Sequence, residues 1–266
     1  MAADESPAAF YDGLAERYHM IFEDWWGAGE RHAEVAAAVL EACGVRSPAA
    51  LLDISCGIGT QALPLAARGF AVTGRDVSRN AVARARREAT VRGLRVDLAV
   101  ADMRSVDHTV RAGSFAAVLS CDNSLAHLET QAALVEALRA SIACVRPGGI
   151  FLASVRDYDA LAAERPTGVV PRLYDDAFGR RIVGQAWEWA PDGASLRVNL
   201  FVLEFDDGWN CAVHTTWSRV VLRRHVAAAL AEAGFVDVRW WEPAESGYYQ
   251  PIVTARRSDG ATGVIP

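Results

Sequence analysis

The chain has 266 residues and a formal net charge of -6, and all 27 of its basic residues are arginine. This length suits one large α/β domain with additions. The absence of lysine excludes a lysine Schiff base and a phosphate-loop lysine, and scattered arginines in an acidic chain argue against nucleic acid as a partner.

Cysteine spacing and the N-terminal residues bear on compartment. The five cysteines are odd in number and form no CxxC pair, so neither a disulfide framework nor a metal site is predicted. The first twenty residues lack the basic start and apolar stretch of a secretory signal. The apolar stretch 33–45 is interrupted by Glu34 and Glu41 and is too short to span a bilayer. We expect a cytoplasmic protein without membrane contact.

The N-terminal third predicts a helical cap followed by an alternation of strands and helices. Residues 6–26 place aromatic side chains at helical spacing, and 32–42 reads as a second helix, so residues 1–49 are predicted to form the cap. Strands and helices then alternate through 50–156, the cofactor-binding core. This pattern predicts a doubly wound, Rossmann-like α/β fold with a mostly parallel seven-stranded sheet.

The pattern changes after Arg156. Three alternating apolar segments separated by turn signals predict an inserted antiparallel meander within 157–222, which would cover the substrate. A closing helix and two strands follow over 223–257, and residues 258–266 read as a flexible tail. The whole chain, 1–266, is predicted to be a single domain.

A glycine-rich loop follows the first predicted strand. Gly57, Gly59 and Ala62 fit the G-x-G-x-x-G/A pattern, and Asp76 follows Gly57 by 19 residues at the end of the next strand. Glycines let the backbone approach a ligand, and the carboxylate accepts hydrogen bonds from ribose hydroxyls. Taken alone, the pattern fits NAD nearly as well as S-adenosylmethionine.

Three details favour S-adenosylmethionine. Asp53 lies just before the loop, where it would organise the loop or meet a cationic amino group. Asp102 and Met103 end the third strand and suit an adenine amino group and ring face. The chain also closes with a late pair of strands.

Several quoted stretches resemble one family. They are FYDGLAERYHMIFEDW, LLDISCGIGTQAL, CDNSLAHL, VRPGG, SVRDYD and YYQPIV. Together they resemble class I S-adenosylmethionine-dependent methyltransferases, and more narrowly bacterial small-molecule N-methyltransferases related to glycine/sarcosine methyltransferases. The resemblance extends from Phe10 to Arg257.

The resemblance implies a set of cofactor contacts. Gly57 and Gly59 would touch the methionine part, Asp76 the ribose, and Asp102 with Met103 the adenine. Cys121 and Asp122 would lie near the sulfonium, with Tyr11 or Tyr18 closing over the cofactor. The predicted cofactor-binding residues are Tyr11, Tyr18, Trp25, Asp53, Gly57, Gly59, Asp76, Val77, Asp102, Met103 and Cys121.

The carboxyl ends of the fourth and fifth strands supply the predicted catalytic residues. These are Asp122, Asn123, Arg156 and Tyr158. An ammonium must lose a proton before it attacks a methyl group, so an acceptor is needed there, and the Asn123 oxygen would hold the substrate nitrogen. Arg156 would grip a carboxylate with its planar fork, or else form an internal ion pair with Asp157, Asp159 or Asp175. His127 is either a proton acceptor or a helix-start residue.

The predicted function is methyl transfer from S-adenosylmethionine to a small molecule, most simply the nitrogen of an amino acid or related amine carrying a carboxylate. Three alternatives stay open: another reaction of the same cofactor such as cyclisation, a non-catalytic S-adenosylmethionine-binding protein, and an NAD-dependent oxidoreductase. A homo-oligomer also stays open, and the acceptor's identity is not legible in the sequence.

Overall fold

A computed structural model describes residues 5–259. They contain a seven-stranded sheet and a separate four-stranded sheet. The strands in chain order are β1 (Ala50–Asp53), β2 (Ala71–Asp76), β3 (Asp97–Val100), β4 (Phe115–Ser120), β5 (Val145–Ser154), β6 (Gly168–Asp176), β7 (Gly179–Trp189), β8 (Ser195–Phe205), β9 (Trp209–Arg219), β10 (Phe235–Trp241) and β11 (Ile252–Arg257).

The large sheet has the order β10-β11-β5-β4-β1-β2-β3. Its strands β1 to β5 pair in parallel, and β11 runs antiparallel to both β5 and β10. This confirms the predicted Rossmann-like sheet and its late strand pair. The strand order reverses between β1 and β4, and open sheets of this kind bind ligands beyond the carboxyl ends of the strands at that point.

Helices cover both faces of this sheet. They are α1 (Pro7–Leu14), α2 (Trp25–Ala42), α3 (Ala62–Ala67), α4 (Arg79–Val91), α5 (Gln131–Cys144), α6 (Tyr158–Glu164), α7 (Arg223–Ala233) and α8 (Pro243–Ser246). The second helix begins earlier than the predicted 32–42, because Asp24 caps it by accepting the Gly27 amide at 2.9 Å. No helix in the described part of the chain is long and apolar enough to cross a membrane.

The inserted sheet is a four-stranded antiparallel meander, β6-β7-β8-β9. Sequence analysis found the last three strands and missed β6, along with the short helix α6. Edge strand β6 is largely solvent-exposed and contains Pro171, so its sequence lacks the alternation of a half-buried strand. The meander therefore has one strand more than predicted and still lies within 157–222.

Two hydrophobic clusters fill the two sides of the large sheet, and a third joins the N-terminal cap to the inserted sheet. In the third cluster, Phe10 and Leu14 of α1 pack against Leu200 and Val202 of β8. Because α1 also contacts α4, it bridges the insertion and the Rossmann-like core. The cap and the insertion thus enclose space above the carboxyl ends of the parallel strands.

Candidate active site

Two cavities meet above the carboxyl ends of β1, β4 and β5. The first, of about 470 Å³, is lined by the glycine loop and by the residues that end β2 and β4; we call it the loop cavity. The second, of about 680 Å³, lies between the cap, the inserted sheet and the ends of β4 and β5; we call it the cap cavity. Tyr11, Tyr18, Asp122 and His127 line both, so the cavities are adjacent.

The two loop glycines serve different purposes. Both have positive φ, +52° at Gly57 and +97° at Gly59, which favours glycine. A Cβ at Gly57 would meet no atom within 4 Å, so its surroundings are open. A Cβ at Gly59 would come within 2.6 Å of the Leu63 side chain. Gly57 keeps the loop cavity clear, whereas Gly59 lets the loop pack on α3.

Asp76 ties the glycine loop to the start of α4. One carboxylate oxygen accepts the Gly57 amide and the other accepts the Ser78 amide, each at 2.8 Å. Burial raises the pKa of Asp76, and these two hydrogen bonds act in the opposite direction. Asp12 of α1 accepts the Ser78 hydroxyl at 2.6 Å, so the cap is anchored beside this carboxylate.

Three further predicted cofactor contacts, Asp102, Met103 and Val77, line the loop cavity. The Asp102 carboxylate also accepts the Arg104 amide at 2.8 Å and pairs with the Arg104 guanidinium at 2.6 Å, which lowers its pKa. Cys121 also lines this cavity, and burial raises the pKa of its thiol.

Tyr11 and Tyr18 stand between the two cavities. The Tyr11 hydroxyl lies 3.0 Å from Nε2 of His127, whose Nδ1 lies 3.3 Å from the Trp217 carbonyl oxygen. Burial lowers the pKa of His127 to about 4, so the ring is neutral near pH 7. Its Nδ1–H therefore donates to the carbonyl, and its Nε2 accepts from Tyr11. His127 thus links Tyr11 of the cap to Trp217 of the inserted sheet.

Asp122 occupies the junction of the cavities. It follows β4 in a left-handed conformation, with φ of +56°, as does Asn123 with +69°. The Asp122 carboxylate accepts the hydroxyls of Tyr248 and Tyr249, both at 2.8 Å, and the side-chain amide of Gln61 at 2.6 Å. All three partners donate, so the position of the carboxylate is fixed from three sides.

Asn123 supports the site from beneath. Its Nδ2 donates to the Tyr158 hydroxyl at 3.0 Å, and its Oδ1 accepts the Arg156 backbone amide at 3.2 Å. Asn123 lines the cap cavity, but both ends of its amide are engaged by the protein. The oxygen expected to hold a substrate nitrogen instead fixes the backbone of the next strand end.

Arg156 lines the cap cavity, where its guanidinium contacts two uncharged side chains. Its Nη2 lies 3.3 Å from Oε1 of Gln185, and its guanidinium carbon lies 4.9 Å from the centre of the Trp187 ring. The same Gln185 oxygen accepts the Trp187 indole N–H at 2.9 Å. Gln185 and Trp187 therefore orient the fork without neutralising its charge.

The ion-pair alternative for Arg156 is not formed. Asp157 pairs with Arg223 at 3.3 Å, and Asp159 accepts the backbone amide of Arg223 at 3.0 Å. Asp175 pairs with Arg180 at 2.6 Å. Within residues 5–259 no carboxylate forms a salt bridge with Arg156, so its charge faces the cap cavity without an acidic partner.

Comparison with known proteins now adds to this geometry. Residues 51–149 match the family model of a methyltransferase domain. Residues 51–149 therefore form a methyltransferase domain, and the comparisons support the class I S-adenosylmethionine-dependent methyltransferases as its family. The predicted family, fold and cofactor are thereby confirmed.

Two curated relatives show the extent of the similarity. The chain is 29% identical over 158 residues to a glycine/sarcosine N-methyltransferase of Parasynechococcus marenigrum, covering 59% of this chain and 54% of the relative. It is 30% identical over 181 residues to the glycine N-methyltransferase of Rattus norvegicus, covering 64% of this chain and 60% of the relative. The chain thus spans between half and three fifths of the length of these relatives.

Solved structures agree over almost the whole fold. The CcbJ methyltransferase from Streptomyces caelestis superposes with a TM-score of 0.72 at 19% identity, covering 96% of this chain and 99% of that chain. An amino pentose methyltransferase from Micromonospora echinaspora gives 0.68 at 22% identity, covering 91% and 95%. At these identities the likeness concerns the fold, including the cap and the inserted sheet.

One buried carboxylate oxygen without a hydrogen-bond partner indicates whether the methyltransferase domain suits S-adenosylmethionine. Asp53 is 1% exposed and lines neither cavity; its Oδ1 accepts the Ser55 amide at 3.1 Å, while its Oδ2 has no partner among the described residues. Burial raises the pKa of Asp53 to about 7. A buried oxygen of this kind suits a cationic amino group, which the methionine part of S-adenosylmethionine carries. The residues present therefore fit the cofactor.

The methyltransferase site corrects two expected contacts. Trp25 lines neither cavity: its indole N–H donates to the Thr60 hydroxyl at 3.0 Å, so it supports the glycine loop from outside. Tyr158 also lines neither cavity, because it is 1% exposed in the core and bonded to Asn123. Both are supporting residues, since their aromatic rings fill the interior behind the site.

Sequence reasoning missed Gln61, Gln185 and Asp12. Gln185 carried a readable signal, because it lies between Val183 and Trp187 on the inward-facing side of β7. Gln61 lies within the quoted loop and is 4% exposed despite its polar side chain. Asp12 gave no such signal, since its contact with α4 depends on how the cap is seated.

Proposed function

We propose that this protein transfers a methyl group from S-adenosylmethionine to the nitrogen of a small amine that carries a carboxylate. One observation carries the proposal: the Arg156 guanidinium faces the cap cavity, oriented by Gln185 and Trp187 and without an acidic partner. A guanidinium in this setting binds a carboxylate through two parallel hydrogen bonds.

The loop cavity holds the cofactor. When bound, S-adenosylmethionine supplies an electrophilic methyl group on a sulfonium. Asp53 would receive its amino group, Gly57 would give the backbone access, and Asp76 would accept from the ribose through lone pairs that its two amide partners leave free. Met103 would cover the adenine face, and Asp102 would accept from the adenine amino group beside its bond to Arg104.

Asp122 connects binding to chemistry. Its carboxylate borders both cavities and carries a negative charge that attracts an ammonium. The acceptor nitrogen must give up a proton to expose its lone pair, and Asp122 takes or relays that proton. Tyr248 and Tyr249 hold the carboxylate in place through their hydroxyls, so its position is set before the acceptor arrives.

Two arguments favour nitrogen over oxygen as the methylated atom. A carboxylate at the junction suits a cationic amine better than a neutral hydroxyl. The relatives at 29% and 30% identity are named for methylation of glycine or sarcosine nitrogen. A ubiquinone biosynthesis O-methyltransferase of Xanthomonas axonopodis is also 29% identical over 157 residues, so the charge argument carries more weight.

The test replaces the planar guanidinium of Arg156 with a lysine ammonium, which keeps the positive charge. Arg156→Lys should lower kcat/KM for carboxylate acceptors about 100-fold, with S-adenosylmethionine affinity and Tm nearly unchanged. Arg172→Lys on exposed strand β6 serves as the control and should match the parent. An Arg156→Lys variant that methylates its acceptor as fast as the parent, or that melts early, would overturn the assignment of Arg156.

A further inference from the structure

The cap cavity has two chemically different halves. Asp122 and Arg156 supply opposite charges at the strand ends, where Gln185 also lies. The wall formed by α1 and the inserted sheet is mainly apolar: it includes Phe10 and Leu14 from α1 and Val169, Val198 and Leu200 from the inserted sheet, with Thr216 and Ser218 beside them. Val198 and Leu200 are two residues apart on β8, so both side chains face the same way.

The apolar half is unnecessary for an acceptor that has no side chain. Cavities of about 300–1,000 Å³ hold ligands of drug-like size, and the cap cavity falls within this range at about 680 Å³. Glycine and sarcosine need contacts only for an amine and a carboxylate, which the polar half already provides. With such an acceptor the apolar wall would face water, at a cost that burying an apolar group removes.

The charges argue against a nucleotide-linked acceptor. Arg156 is the one arginine among the described residues that line the cap cavity, and Asp122 and Asp157 line it too. A diphosphate carries more negative charge than one guanidinium offsets, and the Asp122 carboxylate repels it. A zwitterion with one ammonium and one carboxylate matches Asp122 and Arg156.

We propose that the acceptor is an amino acid with a bulky apolar side chain, which lies against the wall formed by α1 and the inserted sheet. This inference rests on the proposed function, because it assumes that Arg156 binds the acceptor carboxylate. Each methylene that fits an apolar pocket contributes about 10-fold or more in discrimination. Leucine or phenylalanine should therefore be methylated at least 10-fold more efficiently than glycine.

A panel of acceptors tests the inference. The protein is assayed for S-adenosylhomocysteine formation with glycine, sarcosine, leucine, phenylalanine, and the decarboxylated amines of the last two. We expect the highest kcat/KM for leucine or phenylalanine. Glycine or sarcosine equalling them would overturn the bulky-side-chain inference and leave the proposed function standing. Methylation of the decarboxylated amines alone would overturn both.

A matched pair of variants on β6 tests the apolar wall itself. Val169 lines the cap cavity, whereas Val170 is 81% exposed and lies outside it. Val169→Asn should lower kcat/KM for leucine and phenylalanine about 5- to 10-fold and leave that for any glycine turnover unchanged. Val170→Asn should leave both unchanged. An equal effect of the two variants, or an equal loss for all acceptors, would overturn the inference.

Discussion

The loop cavity and the cap cavity are built in different ways. The loop cavity is formed by one continuous strand-loop-helix unit and by carboxylates at neighbouring strand ends, such as Asp76 and Asp102. The cap cavity is assembled from side chains that lie far apart in the chain, such as Phe10, Arg156 and Leu200. Cofactor binding therefore follows from local sequence, whereas acceptor binding depends on how the cap and the insertion are seated.

The largest effect should come from the residue that the two cavities share. Asp122→Asn removes the charge at the junction but keeps the side-chain shape, so kcat should fall about 100- to 10,000-fold. S-adenosylmethionine affinity should change little, because the loop cavity's other contacts stay intact. Methyl-transfer assays measure kcat, and calorimetry measures S-adenosylmethionine affinity separately.

Asp157→Asn is the matched control for this change. Asp157 also lines the cap cavity, but its carboxylate pairs with Arg223. Its loss should lower kcat less than about 5-fold. If both variants lose activity equally, the junction has no special role and the two cavities need not cooperate through Asp122.

The comparison also explains what the sequence could reveal. The parallel sheet, the glycine loop and Asp76 were predictable because strand-helix alternation and positive-φ glycines leave local patterns. Strand β6 was not predictable, because this exposed edge strand lacks alternation. The Asp122–Tyr248–Tyr249 group was not predictable either, since a tertiary contact between residues 126 or 127 positions apart leaves no periodic signal. Arg156 was predicted, but its free charge depended on where Asp157 and Asp159 found partners.

Asp53, which is buried just before the glycine loop, should make the stability of the protein depend on pH. Its pKa is raised from 3.8 to about 7, so the folded protein binds more protons than the unfolded chain between these values. Stability without cofactor should therefore fall as pH rises from about 4 to 7, by at most about 4 kcal/mol. Asp53→Asn should remove this slope and raise Tm at pH 8.

Cofactor affinity should change in the opposite direction. Since the amino group of S-adenosylmethionine favours the ionised carboxylate, binding should strengthen as pH rises towards 7 in the parent. In Asp53→Asn it should be weaker and nearly independent of pH over this range. A variant with the parent's stability slope and affinity profile would remove Asp53 from the cofactor site.

The smallest effect should come from Gln185, which orients Arg156 in the cap cavity. Gln185→Met keeps side-chain length but removes the oxygen that holds both Arg156 and Trp187. The KM for a carboxylate acceptor should rise about 3- to 10-fold with kcat nearly unchanged, because only the orientation of the fork is lost. Decarboxylated amines should be unaffected, and an equal rise for them would indicate a general packing defect.

If the proposed function is right, a methyl group held in the loop cavity reaches a nitrogen held through Arg156 in the cap cavity. The most direct measurement supplies S-adenosylmethionine with a ¹³C-labelled methyl group and a mixture of free amino acids, and locates the label by NMR and mass spectrometry. We expect a ¹³C-methyl group on the amino nitrogen of an amino acid, strongly reduced in Arg156→Lys. Label found only on oxygen, on amines without a carboxylate, or equally in both proteins would contradict it.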